Sequence, residues 1–261
     1  MADARLPLNL PLAVSFLSPF AEAYRRTKKP QDILWNRFVA RPLAAVLLVP
    51  LAKTRITPNQ ITFASLTAFV AAMVVLALQR GHVGLLVAVA VLEFSYVLDC
   101  TDGQLARLKN QSSPVGAHLD FLMDELKAFL LVAATGIRLW QADGHELWLV
   151  ESLLGLAAVA IAISLTTFIR RPEYLAATGA ARPRSAGDYG DGFVAPAARA
   201  QRSFVVGLVE DLGRFLIHYP SYLVFIAIAD QLDVFLHVYI AINAAYAARS
   251  LLGVALKLGR S

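Results

Sequence analysis

The sequence predicts an all-α integral membrane protein, with six transmembrane helices preceded by an interfacial amphipathic helix. Three observations carry that expectation. Hydrophobic residues make up 57% of the 261 positions and charged residues only 16%, against about 25% charged in ordinary soluble domains. Apolar runs approach the roughly 20 residues needed to cross a bilayer. Lysines and arginines gather between those runs, as expected of loops beside an anionic leaflet. Such a chain has too little polar surface to coat a water-soluble globule, which excludes a soluble cytosolic enzyme and a disordered tail. One cysteine, Cys100, has no intrachain partner and excludes a disulfide scaffold. The net charge of +5, from 24 basic against 19 acidic residues, therefore points to membrane lipids as partners and not to nucleic acid.

The elements follow in chain order. Residues 1–56 read as a cytoplasmic N-terminal segment, apolar and proline-punctuated at first, then basic at Arg25, Arg26, Lys28 and Lys29. Its first apolar stretch lies after polar, proline-broken sequence, so no cleavable signal peptide is expected. From Trp35 to Ala52, Arg37 and Arg41 interrupt an otherwise apolar stretch that also holds Pro42 and Pro50. This is short for a span and reads as a helix lying in the interface; a short first span is the competing reading.

Residues 57–258 read as the six-helix transmembrane domain. Thr57-Pro58-Asn59-Gln60 starts a helix, with Thr57 as cap, Pro58 in the first helical position and Gln60 completing a capping box. The first span then runs over about Ile61 to Leu78. An Arg80-Gly81-His82 turn leads to a second, Val83 to Leu98, continuing through polar sequence to Arg107. A third covers Gly116 to Leu139 and a fourth Leu147 to Ile169. A polar connection rich in Gly, Ala, Pro and Arg follows to Arg202 and contains a glycine–aspartate run at 187–192, expected to be a plain solvated loop. The fifth span, Phe204 to Ala229, carries Glu210, Asp211, Arg214 and His218. The sixth, Leu232 to Leu256, carries Arg249. The more basic loops fall on one side, so both termini are expected in the cytoplasm.

The informative residues occupy the window VLDCTDGQLARLKNQSSPVGAHLDFLMDE. Asp99 and Asp102 stand three apart and share a helix face. Gly103 and Ala106 continue that face with almost no side chain. Beyond the Ser112-Ser113-Pro114 turn, Gly116, Asp120 and Asp124 recur at four-residue spacing, again on one face. Two antiparallel helices joined by this short loop would bring four carboxylates together at the cytoplasmic boundary, over a floor of Gly and Ala. Clustered carboxylates repel one another and need a compensating charge, for which Arg107, Lys109 and Lys127 are candidates. An oxygen-only ligand set suits Mg2+ or Mn2+. The small residues leave room for a flat or phosphate-bearing ligand to approach the backbone.

Asp99-x-x-Asp102-Gly103-x-x-Ala106-Arg107, eight residues, then Gly116-x-x-x-Asp120-x-x-x-Asp124 resembles the complete signature of the CDP-alcohol phosphotransferases. The interfacial helix, the Thr-Pro-Asn start and six spans look like that family's architecture over about residues 35–258. The resemblance implies transfer of a phosphatidyl group from a CDP-linked lipid, typically CDP-diacylglycerol, to an alcohol with release of CMP. It implies metal binding by Asp99, Asp102 and Asp120, with two ions expected, and assigns Asp124 as general base and as a further metal contact. It places Asp102, Gly103, Ala106, Arg107 and Gly116 around the cytidine diphosphate, and Asn59 near the nucleotide. It also implies a homodimer.

Arg170, Arg171 and Arg249 are candidates for an acceptor pocket, against the plainer reading of membrane anchoring and snorkelling. They favour a phosphorylated polyol, glycerol 3-phosphate or inositol phosphate, as acceptor. Glu210 and Asp211 read as a helix end, His118 as packing and Cys100 as a small apolar filler. Two alternatives compete: a membrane prenyltransferase using an Mg-bound diphosphate, and a non-enzymatic cation transporter with intramembrane carboxylates.

Overall fold

The computed structural model describes residues 12–27, 32–179, 215 and 218–259. Among them the chain is helical throughout, without a strand. Helix α1 spans Leu12–Thr27, a segment to which the sequence reading assigned no helix. A π-helical turn over Asn36–Ala40 runs directly into α2, Arg41–Ala52, with Pro42 in its first turn. Where the sequence suggested one continuous amphipathic stretch, the backbone therefore changes its winding at residue 41. Arg41 does not point to the polar exterior. It is buried against Asp32, and the two side chains are only 7% and 11% exposed.

Helix α3, Pro58–Leu78, begins as its sequence requires. Thr57 is extended, its hydroxyl accepts from the Gln60 amide at 3.4 Å, and Gln60 Oε1 accepts from the Thr57 amide at 2.9 Å. Both halves of the capping box satisfy amides that have no partner inside the helix. Helix α4, Gly81–Leu108, carries the first half of the motif in its last turns. Helix α5, Pro114–Asp143, is longer than expected at both ends. It is capped by the Ser113 hydroxyl, 3.0 Å from the Gly116 amide, and closed by Gly144 at φ 78°. Helices α6 (Leu147–Phe168) and α7 (Pro172–Thr178) follow, then α8 (Pro220–Ile228) and α9 (Leu232–Leu258).

Helix α3 lies along α4 and α5, α5 along α6, and α6 along α9, while α2 and α8 lean on α4. Small residues set these approaches, as expected where helices meet in lipid without a hydrophobic driving force between them. Ser65 and Ser95 each donate to the other's carbonyl, at 2.9 and 2.8 Å, across the α3–α4 seam. A Cβ on Gly136 would overlap the Ser152 side chain, and one on Gly155 would lie 2.9 Å from Ile240 and 3.0 Å from Val132. The main core holds Phe69, Leu76, Leu92, Leu131, Leu223 and Phe235. A second cluster joins Ala23, Leu48, Ile61 and Leu105, and so fastens α1 and α2 beside the motif end of α3 and α4.

Four described helices are long and apolar enough to cross a membrane: Pro58–Leu78, Gly81–Leu108, Leu147–Phe168 and Leu232–Leu258. Their large apolar side chains also face outward, among them Phe63, Val74, Val87, Leu153, Ile161 and Leu252. The chain is an integral membrane protein. Helix α5 has 30 residues, enough to cross, but carries Asp120, Asp124, Glu125, Lys127 and Arg138. Half of the fifth expected span, including Glu210, Asp211 and Arg214, lies outside the described residues, as does the 187–192 run.

Candidate active site

The two halves of the motif meet where α4 ends and α5 begins. The loop between them is closed by the Gln111 amide on the Ala106 carbonyl at 2.8 Å, with Asn110 in the left-handed region at φ 54°. This hairpin sets the i, i+3 face of α4 against the i, i+4 face of α5. One carboxylate oxygen from each of Asp99, Asp102 and Asp120 lies within 4.8 Å of the others. Three hard oxygen donors at this spacing, from two helices, fit a divalent cation such as Mg2+ or Mn2+. Asp102 is buried and receives a hydrogen bond from the Thr62 hydroxyl of α3 at 2.5 Å. Asp124, one turn beyond Asp120, is 60% exposed and lies at the open side of the cluster.

Three basic residues were candidates to balance these acids, and the structure separates them. Lys127 is 3% exposed; its ammonium pairs with Asp99 of α4 and lies 3.7 Å from Asp124 Oδ1. Lys109 turns away and donates to the Thr54 and Ile56 carbonyls, both at 2.9 Å, holding the α2–α3 loop. Arg107 donates through Nε to the Thr27 carbonyl at 2.9 Å, tying the end of α1 to the motif. Its guanidinium covers Gly103, where a Cβ would meet Nη1 at 3.4 Å.

Gly116 faces the α3 start: a Cβ there would lie 3.2 Å from Ser113 Oγ and 3.6 Å from Asn59 Oδ1. Asn59, Gly116 and the aspartates therefore frame one end of the bundle, although Asn59 is 40 residues from Asp99 in the chain. Ala106 is half-buried one turn beyond Gly103. Among the acceptor candidates, Arg170 lies over the ring of Phe121, the neighbour of Asp120, at 5.9 Å. Arg171 is exposed at the start of α7 and Arg249 is exposed on α9. His118 is exposed, and Cys100 is buried with Ala40, Ala44 and Val97.

Sequence reasoning missed two sets of supporting residues. Thr62 stands three residues after Asn59 and so shares its face of α3, a signal that was available. The second is a buried polar chain behind Asp99. Tyr96, one turn earlier on α4, places its hydroxyl 2.6 Å from both Asn36 Oδ1 and His218 Nε2. Asn36 in turn donates to Asp32 at 2.9 Å, and Asp32 pairs with Arg41. No local spacing announces a set drawn from positions 32 to 218.

Residues 55–209, more than half of the chain, match the family model for CDP-alcohol phosphatidyltransferase. That stretch includes Asn59, Thr62 and every position of the aspartate motif. No curated protein matches the chain.

Proposed function

The chain belongs to the CDP-alcohol phosphatidyltransferase family and is a membrane phosphotransferase; on that premise we propose that it moves the phosphatidyl group of CDP-diacylglycerol to a small polar alcohol and releases CMP. The observation that carries the site assignment is the approach of Asp99, Asp102 and Asp120 to within 4.8 Å, with Asp124 one turn away at the open side. These three would hold Mg2+ or Mn2+, with Asp124 completing a two-ion site. Bound there, the metal would neutralise charge developing on the CMP leaving group.

The remaining work falls to the chain's own residues. Gly103, Ala106 and Gly116 present almost no side chain, so that the cytidine diphosphate can lie close to the backbone. Asn59 and Arg107 border that floor and would orient the nucleotide. Thr62 keeps Asp102 in one rotamer by its hydrogen bond. Asp124 would take the proton from the acceptor hydroxyl, the only proton that has to move to free a nucleophile. Arg170, beside Phe121, is the best-supported contact for a phosphorylated acceptor such as glycerol 3-phosphate or inositol phosphate, with Arg171 and Arg249 as further candidates.

The basic loops support a site at the cytoplasmic face with both termini on that side. On the same reading α2 lies in the interface, residues 1–56 form the N-terminal segment, and α5 and the fifth span bring the crossings of 57–258 to six. The homodimer rests on the family resemblance alone. Membership of the family sets aside the prenyltransferase and cation-transporter alternatives.

The deciding experiment measures CMP release by the purified protein from CDP-diacylglycerol and Mg2+, against a panel of alcohols. Release stimulated by one alcohol establishes the donor and names the acceptor. No release with any alcohol, together with no metal-dependent binding of the CDP-lipid, would remove the donor assignment.

A further inference from the structure

The geometry points to Lys127 as a positioning residue of this site: a built-in monovalent cation that holds Asp99 and Asp124 in place and restrains the affinity of the cluster for divalent ions. The inference rests on the metal site proposed above and goes beyond it. Lys127 stands three residues after Asp124 on α5, and its ammonium reaches across to Asp99 on α4. It is 3% exposed, so it is not a surface lysine caught in a chance contact. A buried ammonium is tolerated only with charged partners, and here those partners come from both halves of the motif. Of the other cations nearby in sequence, Arg107 gives its Nε to the Thr27 carbonyl and Lys109 gives its ammonium to the Thr54 and Ile56 carbonyls; among the described residues neither makes an ion pair with the aspartates.

Two consequences follow from charge alone. An ammonium touching Asp99 competes with a metal for that carboxylate and raises the potential felt by any incoming divalent ion. The same ammonium, 3.7 Å from Asp124 Oδ1, attracts a side chain that is otherwise largely exposed and narrows its rotamer range toward the cluster. A neutral residue at 127 should therefore tighten divalent binding while slowing turnover. A merely structural lysine would have the opposite metal signature, because a loosened site binds ions less well.

The test uses the full chain in detergent, with Mn2+ binding read from the electron paramagnetic resonance signal of the free ion. Lys127→Met and Lys127→Arg are compared with the wild type, and melting temperature reports folding. Lys127→Gln, which keeps a hydrogen-bond donor but no charge, decides the matter if the methionine variant does not fold. The neutral variants are expected to bind Mn2+ about tenfold more tightly, with kcat for CMP release reduced and KM for the CDP-lipid little changed. Lys127→Arg should keep wild-type Mn2+ affinity and most of kcat. Wild-type Mn2+ binding with no tightening in either neutral variant overturns the assignment of Lys127 alone. Absence of Mn2+ binding to the wild type would overturn the metal site and this inference together.

Discussion

The two ends of helix α5 treat charge in opposite ways. At the end that begins with Pro114, Asp120 approaches Asp99 and Asp102 of α4, and Lys127 pairs with Asp99 and lies near Asp124. At the far end, Arg138 donates to the carbonyls of Gln79 and Gly81, at 2.5 and 2.6 Å, and so closes the turn between α3 and α4. Asp143 there accepts from the Trp148 indole at 2.8 Å and the His145 amide at 2.9 Å. Charges at the far end are consumed by the fold, since they satisfy groups that helix ends leave open. At the near end one ammonium, Lys127, meets several carboxylates that repel one another, which leaves negative charge available for a cation. A membrane helix tolerates ionisable groups in either mode, and only the second marks a site.

That contrast breaks first at Asp124. Asp124→Asn should lower turnover by about 10²–10⁴-fold, the usual contribution of a general base, while metal-dependent CDP-lipid binding is retained. Normal turnover in this variant would mean that another group takes the acceptor proton. Next in size is Asp102→Ala, which removes the buried ligand held by Thr62. Metal-dependent nucleotide binding should be lost, as measured by equilibrium binding of a CDP-lipid with and without Mg2+. Unchanged binding would detach Asp102 from the metal.

Substitutions at the far end should move stability and leave chemistry alone. Arg138→Met strips donors from the α3–α4 turn and is expected to cost about 1–3 kcal/mol, seen as a lower melting temperature with CMP release per folded molecule unchanged. The smallest effect belongs to Asp143. Hydrogen bonds from the Trp148 indole and from the His145 amide hold its carboxyl below the usual carboxylate range. A lowered folded value means that its contribution is present at neutral pH and is lost as pH falls through that value. The residue is exposed, so screening keeps the contribution small. Melting temperatures of the wild type and Asp143→Asn should nearly coincide at neutral pH and converge fully in acid; a large gap at neutral pH would show that this end is less dispensable than its exposure implies.

The parts of the fold that were legible are those governed by local spacing. The capping box at Thr57, the Ser113 start of α5, and the extension of α4 past its apolar run into the motif all depend on neighbours within four residues. Convergence of Asp99, Asp102 and Asp120 followed from the same local rule, because i, i+3 and i, i+4 pairs on two helices joined by a short turn have few other ways to face, whereas Asp124, expected with them, stays outside that group and largely exposed. Helix α1 was less legible, since Pro19 stands inside it and breaks the apolar run that would announce a helix. The burial of Arg41 where the winding changes was hidden as well, because its partners Asp32 and Gln104 are nine and 63 residues away.

By itself the sequence determined a membrane-embedded helical chain and a carboxylate cluster suited to a divalent metal, since periodicity and composition act over one or two turns; the diphosphate is what the family resemblance implies. Tertiary structure decided which cation meets that cluster. Arg107, Lys109 and Lys127 have similar charge and comparable reach; i, i+3 spacing puts Lys127 on the face of Asp124 but does not say that its ammonium reaches Asp99 on α4. Their choice of partner is set by how α1, the α2–α3 loop and α4 cross the motif. Backbone carbonyls at Thr27, Thr54 and Ile56 claim the first two, and the α4–α5 approach leaves Lys127 for the acids. Long flexible side chains carry little positional information until the backbones around them are in place.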